Sequence, residues 1–312
     1  MIFFTKITKL CKIVDMALFN KKTTLVHHIT YMGLMTAINV IFIVLATYVP
    51  PFMLLLILLL PFASTIVSYY CLKRYYIIYA IASIGLCLIF NISDTIFYVV
   101  PAVISGFAIG VLLEKRVHPF WLVLVSTVIN AALTYGFIPL INLISGTDFV
   151  LSLLTIFKLQ DFAYRTELVY LFIFFTSLMQ CALTHFVLLS DAKKIGIEIN
   201  TRVECFAPYL IGLGASIVLA VGLAFLYLPI ALVFVGIALY FASFLLIDLL
   251  LSKKLPIYLM LAASIFAMIL VFAIIYNNLS KPYGAILTLL FPFAIGIVSF
   301  VKNYLLKYPS NI

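Results

Sequence analysis

Charge is scarce in this chain: of its 312 residues, only 9% are Asp, Glu, Lys or Arg. Soluble domains carry roughly 25%, so a water-facing surface of ordinary size is excluded. Cysteine is sparse too. The five present (Cys11, Cys71, Cys87, Cys181 and Cys205) form no CxxC pair. None falls in a stretch read below as external, which argues against a disulfide framework or a zinc site. No Walker A, HExxH or GxSxG sequence occurs, so nothing points to ATP hydrolysis by the P-loop route, a zinc protease or a serine hydrolase. The four histidines, His27, His28, His118 and His185, are not clustered at metal-ligand spacing. These absences lead to the expectation of a non-enzyme with no metal and no cofactor.

What is abundant is apolar surface. Hydrophobic residues make up 66% of the chain, and the mean hydropathy is +1.30. A membrane span needs about 20 mostly apolar residues, because backbone polar groups in hydrocarbon must be bonded internally. Ten segments meet this, near 30–49, 51–72, 75–92, 95–113, 119–144, 167–190, 208–227, 229–250, 255–276 and 284–301. Pro50-Pro51 divides the first two, and Pro229 marks the break between the seventh and eighth. Proline disfavours helix in the residue before it, which suits a turn at each place.

The net charge of +9 sits in short clusters between the apolar runs rather than along one face, which speaks against nucleic acid as a partner. Its placement supplies a second reading of topology. With the N-terminus inside and ten spans, 16 of the 19 Lys and Arg residues fall in inside segments, among them Lys73-Arg74, Lys115-Arg116, Lys253-Lys254 and Lys302. Only Lys158, Arg165 and Lys281 fall outside. The positive-inside bias thus agrees with hydropathy, and both termini are expected in the cytoplasm of a multi-pass cell-membrane protein.

The organisation expected is a cytoplasmic N-terminus over 1–29, a six-helix bundle over 30–190 and a cytoplasmic connection over 191–207. A four-helix membrane extension over 208–301 and a cytoplasmic tail over 302–312 follow. The N-terminus, MIFFTKITKLCKIVDMALFNKK, has no long apolar core and no small-residue cleavage site. It reads as an amphipathic helix lying on membrane lipid rather than as a signal peptide.

Polar residues inside apolar spans are the candidates for function. Asn39, Asn130 and Gln180 lie near mid-membrane by helical rise, about 14–17 Å from the inner ends of their helices. They form either the floor of a solute pocket or interhelical hydrogen bonds. Asp94, Tyr98, Tyr164, Arg165 and Glu167 gather toward the outer side, as the mouth of a cavity that orients a polar solute or as an ordinary solvated rim. Asp248 lies about one turn before Lys253-Lys254, where snorkelling or pairing at the interface accounts for it. Small residues one turn apart (Gly33 and Ala37, Gly106 and Gly110, Gly212 and Ser216, Ala263 and Ala267) let helix backbones approach closely, chiefly within the chain.

Six spans in about 160 residues, an inside N-terminus, the opening TYMGLMTAINVIF, the proline-bearing LLLPFAST and the run PAVISGFAIGVLLEK together resemble the substrate-binding (S) component of energy-coupling-factor (ECF) vitamin transporters. Over nearly its whole length the chain also resembles the YybS-like family of bacterial membrane proteins. Their later half looks like FVGIALYFASFLLIDLLLSKKLP and FPFAIGIVSFVKNYL here. The resemblance implies a first helix that docks on a coupling subunit, with Gly33 and Ala37 at the positions of the family's small-residue pair. It also implies a division of labour, in which this chain binds a small solute while a coupling subunit and separate ATPases drive release. No vitamin-specific motif is matched. A scaffold that retains the fold, and a self-sufficient secondary transporter, are the other functions considered.

The topology is directly testable. Reporter fusions after residues 116 and 253 are expected to report inside, and one within 145–166 outside; inversion of any of them refutes the ten-span arrangement.

Overall fold

The computed structural model describes residues 24–49, 53–146, 148–156, 164–195, 206–252, 254–276 and 285–305. Residues 1–23 of the amphipathic N-terminus expected over 1–29, the Pro50-Pro51 turn and most of the 191–207 connection lie outside them. Among the described residues there is no strand; the long helices are α1 (Leu25–Tyr48), α2 (Met53–Tyr70), α3 (Lys73–Phe90), α4 (Val100–Glu114) and α5 (Pro119–Ser145). A short α6 (Phe149–Ile156) precedes α7 (Arg165–Ile195), α8 (Phe206–Ala224), α9 (Leu228–Leu251), α10 (Leu255–Tyr276) and α11 (Leu290–Phe300).

Among the described residues eight helices are long and apolar enough to cross a membrane, and two further apolar stretches, Leu59–Tyr70 and Leu255–Ile269, are shorter. The chain is therefore an all-helical, multi-pass membrane protein. Its surface agrees. Ile81, Ile89, Leu143, Ile211, Val218, Phe225 and Leu226 are largely exposed, while Asn39, Ser64, Thr65, Ser126, Thr127 and Thr184 are fully buried. In water this would be an inverted arrangement; in lipid it follows from the cost of polar groups facing hydrocarbon.

Helix boundaries follow local chemistry. The side-chain hydroxyl of Thr24 accepts the His27 N–H and starts α1, five residues ahead of the apolar segment. Pro229 sits in the first turn of α9, where its missing N–H costs nothing. Pro101 has the opposite effect on the chain before α4. It offers no N–H to the carbonyl one turn back, and Thr95–Val99 opens into a π turn in which the Val100 N–H bonds Thr95 O.

The chain divides into two compact units, one of residues Met1–Gly146 and Met179–Arg202, the other of Thr147–Leu178 and Val203–Ile312. The division at Met179 falls inside α7, whereas sequence alone groups 30–190 together.

In the first unit α4 packs on α2 through its small residues. A Cβ on Gly106 would lie 2.5 Å from Ser64 Cβ and 2.7 Å from Pro61 O; one on Gly110 would lie 2.5 Å from Ser68 Cβ. Ser68 Oγ and Tyr76 Oη then reach the α4 backbone, donating to Phe107 O at 3.0 Å and Val103 O at 2.6 Å. The Gly33 pair on α1 behaves differently: Gly33 has nothing within 4 Å of its added Cβ, and both Gly33 and Ala37 are exposed.

In the second unit α9 is the central helix, buried over most of its length with Ile230, Val233 and Ile237 exposed along its first half. The beginning of α7 packs on it at Gly236, and α8 closes on it where Phe241 fills the space over Gly212. Leu249, Ile257, Leu261 and Val298 join α9, α10 and α11 in one cluster.

Just beyond that cluster lies Lys302, in a π turn over Val301–Leu305. Counted from sequence among inside-tail charges, it is instead fully buried. Its ammonium donates to Asp248 Oδ2 at 2.7 Å and to Asp248 O at 3.1 Å. The second bond has a local cause. The Ser252 N–H, which would serve Asp248 O in a continued helix, goes to Leu249 O at 3.2 Å. Three terminal carbonyls of α9 thus receive donors from outside the regular ladder: Lys302 on Asp248 O, the Ser252 hydroxyl on Leu249 O at 2.6 Å, and Tyr258 Oη on Leu250 O at 2.6 Å.

Two outcomes follow. Gly106→Leu is expected to destabilise the detergent-solubilised protein by about 1–3 kcal/mol or more through overpacking, while Gly33→Leu leaves it unchanged, both read by thermal unfolding. Lys302→Met strands a buried carboxylate and is expected to cost about 3–5 kcal/mol, and adding Asp248→Leu is expected to recover most of it.

Candidate functional site

The mid-membrane amides occur in two hydrogen-bonded groups of the first unit. On α1, Asn39 donates to Tyr79 Oη at 2.8 Å and to Ser83 Oγ at 3.0 Å, both on α3. Ser64 of α2 joins Tyr79 Oη at 2.9 Å. Three helices thus share one buried cluster, and its polar hydrogens are largely used within it. The amide nitrogen of Asn39 bonds across helices, while Asn39 Oδ1 has no hydrogen-bond partner among the described residues.

The second group joins α4, α5 and α7. Asn130 donates to Ser105 Oγ at 3.0 Å and to Gln180 Oε1 at 2.8 Å, so two of the three expected amides meet directly. Thr134 donates to Asn130 Oδ1 at 3.3 Å. The thiol of Cys181 lies beside the Thr127 and Ser105 hydroxyls. The group extends along both helices at helical spacing. On α5 the buried face carries Ser126, Thr127, Asn130 and Thr134, and on α7 it carries Gln180, Cys181, Thr184 and His185. Each stripe is about 8–12 Å long.

One end of this polar seam is not self-satisfied. Ser126 Oγ, Thr184 Oγ1 and His185 Nδ1 are buried with no hydrogen-bond partner among the described residues. Helical Ser and Thr in apolar surroundings ordinarily bond back to their own helix, as Thr47 does to Ile43 O at 2.9 Å and Thr65 to Pro61 O at 2.8 Å. Ser126 and Thr184 do not. Unused hydrogen-bonding capacity at such depth is costly, and a polar molecule seated there would relieve it.

Sequence reasoning singled out Asn130 and Gln180 in this seam and missed Ser126, Thr127, Thr184 and His185. The available signal was periodicity: polar residues at i, i+4 and i+8 on two otherwise apolar helices.

The expected outer-side residues are divided between the two units. Asp94 and Tyr98 belong to the first unit, and Tyr164, Arg165 and Glu167 to the second. The Asp94 carboxylate is engaged by its own turn, where Asn91 Nδ2 donates to Asp94 Oδ2 at 2.7 Å and the Asp94 N–H to Asn91 Oδ1 at 3.0 Å. Tyr98 packs on Ala46 and Phe42 of α1. Tyr164 packs with Leu168 against Ala224, Leu228 and Ala231. Arg165 is exposed, and Glu167, half-buried, sits in the first turn of α7 where the helix dipole favours a carboxylate.

Comparisons with known proteins add no relative: no family model, curated protein or solved structure matches the chain.

Proposed function

We propose that the chain is a membrane-embedded solute-binding subunit for uptake of a vitamin or similar small solute, acting with a separate coupling subunit and ATPases. The observation that carries this reading is the buried seam between α5 and α7, with polar groups left unpaired in a setting where a packing-only role would satisfy them. The exposed Gly33–Ala37 face of α1 supports the second half of the proposal. It is open where the Gly106–Gly110 face is consumed by α2, and so is free for a docking subunit. This reading takes the ten-span, inside-termini arrangement in the cell membrane, with the front six spans forming an S-component-like bundle.

A secondary transporter is the second reading, favoured by the buried Asp248–Lys302 pair. Charged pairs within membrane-spanning helices often mark ion pathways. Uptake by liposomes containing this protein alone, dependent on an imposed proton gradient, would select it.

The deciding experiment is gentle purification from the native membrane with mass-spectrometric identification of co-purifying proteins and small molecules. ATPases, a coupling subunit and a stoichiometric metabolite are expected. Recovery of unrelated membrane partners with no metabolite would replace this reading with a scaffold that retains the fold without transport.

A further inference from the structure

We propose that the solute held in the α5–α7 seam is an uncharged, hydrogen-bonding molecule, one bearing hydroxyl, amide or heteroaromatic nitrogen groups. This inference rests on the solute-binding reading above and names its substrate class.

The first observation is the absence of fixed charge around the seam. No Asp, Glu, Lys or Arg occurs in 95–113, in 119–145 or in 168–190, the interior stretches of its three helices; the charges of α4 and α7 (Glu114, Arg165, Glu167, Asp191, Lys193 and Lys194) stand at the helix ends. The remaining long helices of the first unit have none in 25–48, 53–70 or 75–90, α3 carrying Lys73 and Arg74 only at its start. An ion entering this interior would leave its hydration shell and meet no counter-charge, at a cost of several kcal/mol. An uncharged polar molecule has far less hydration to lose.

The second observation is the kind of groups left unpaired. The hydroxyls of Ser126 and Thr184 each donate and accept, and His185 Nδ1 does one or the other according to its tautomer. They match a partner with both donors and acceptors. The third is size. Asn130 and Gln180 bond each other directly at 2.8 Å, closing one end. The unpaired groups lie within about 6–8 Å of helix rise beyond that closure, which sets the length over which a partner can reach all of them.

Cys181 lies within this seam and is fully buried, and it serves as a native reporter. The purified full-length protein in lipid nanodiscs is treated with three methanethiosulfonates of one reactive chemistry and different charge: hydroxyethyl (neutral), sulfonatoethyl (anionic) and trimethylammonioethyl (cationic). Peptide mapping follows modification of Cys181, and rates are normalised to glutathione with the same reagent. The same series is run on Ser126→Cys and Thr184→Cys, near-isosteric changes, in a background with all five native cysteines replaced by Ala.

The neutral reagent is expected to react faster than either charged one, by about tenfold or more, as the desolvation cost of an ion requires. Equal rates for all three would overturn the uncharged class and leave the solute-binding reading in place. Faster reaction of the anionic reagent would also overturn it, assigning His185 as the cation that receives an anionic solute. No reaction at Cys181 or at either introduced cysteine, while the denatured protein reacts fully, would remove both the class and the site.

Discussion

Hydrogen bonding without water is the constraint on which the rest of this structure depends. In hydrocarbon no solvent molecule completes an unpaired donor or acceptor, so each polar group must find its partner inside the protein. Backbone groups do so by forming helices. Isolated hydroxyls do so by bonding back to their own helix, as Thr47 and Thr65 do. Amides need a neighbouring helix, and Asn39 and Asn130 each draw together residues from three helices. Where a helix ends within the protein, its last carbonyls require donors from elsewhere. Lys302, Ser252 and Tyr258 supply them for α9.

Close helix approach is what brings these partners within reach. The backbone contact of Gly106 and Gly110 with α2 leaves no room for a Cβ, and that contact lets Ser68 and Tyr76 bond the α4 backbone. Small residues therefore act twice, by packing and by admitting hydrogen bonds that a bulkier interface would hold apart. The Gly33–Ala37 pair has the same spacing and none of this environment. One sequence pattern thus has two physical meanings, one spent inside the chain and one left on its surface.

Against this background the unpaired groups of the α5–α7 seam stand apart. The Asn39 cluster is the pattern of polar groups used to join helices. The seam begins in the same way, at Asn130 and Gln180, and then carries hydroxyl and imidazole groups beyond what the helices themselves use. The Asp248–Lys302 pair is a third solution, in which a complete charge is buried because a carboxylate and a helix end face it together. The three differ in how fully the protein meets its own polar requirements: Asn39 leaves a single carbonyl oxygen over, whereas the seam leaves several hydroxyl and imidazole groups together.

Much of the architecture was legible in the chain itself. Hydropathy and proline placement mark where helices run, because the length of an apolar stretch answers to bilayer thickness and not to any neighbour. A described helix lies over each of the ten apolar segments, and among the described residues eight are long and apolar enough to count as spans. The candidates Asn39, Asn130 and Gln180 were visible for the same reason, as polar residues in apolar surroundings. Tertiary structure decided which of them meet, since helix rotation and pairing arise from long-range packing that hydropathy does not encode. Asp94 turned to its own Asn91, and the outer-side residues fell into separate units. Lys302, read from composition as one more tail charge, is buried because Asp248 and the open end of α9 require a cation there. The sequence by itself determined that lipid is this protein's solvent and where its helices lie; only the fold decided which polar groups are partnered, because partnership depends on the faces that helices turn to one another.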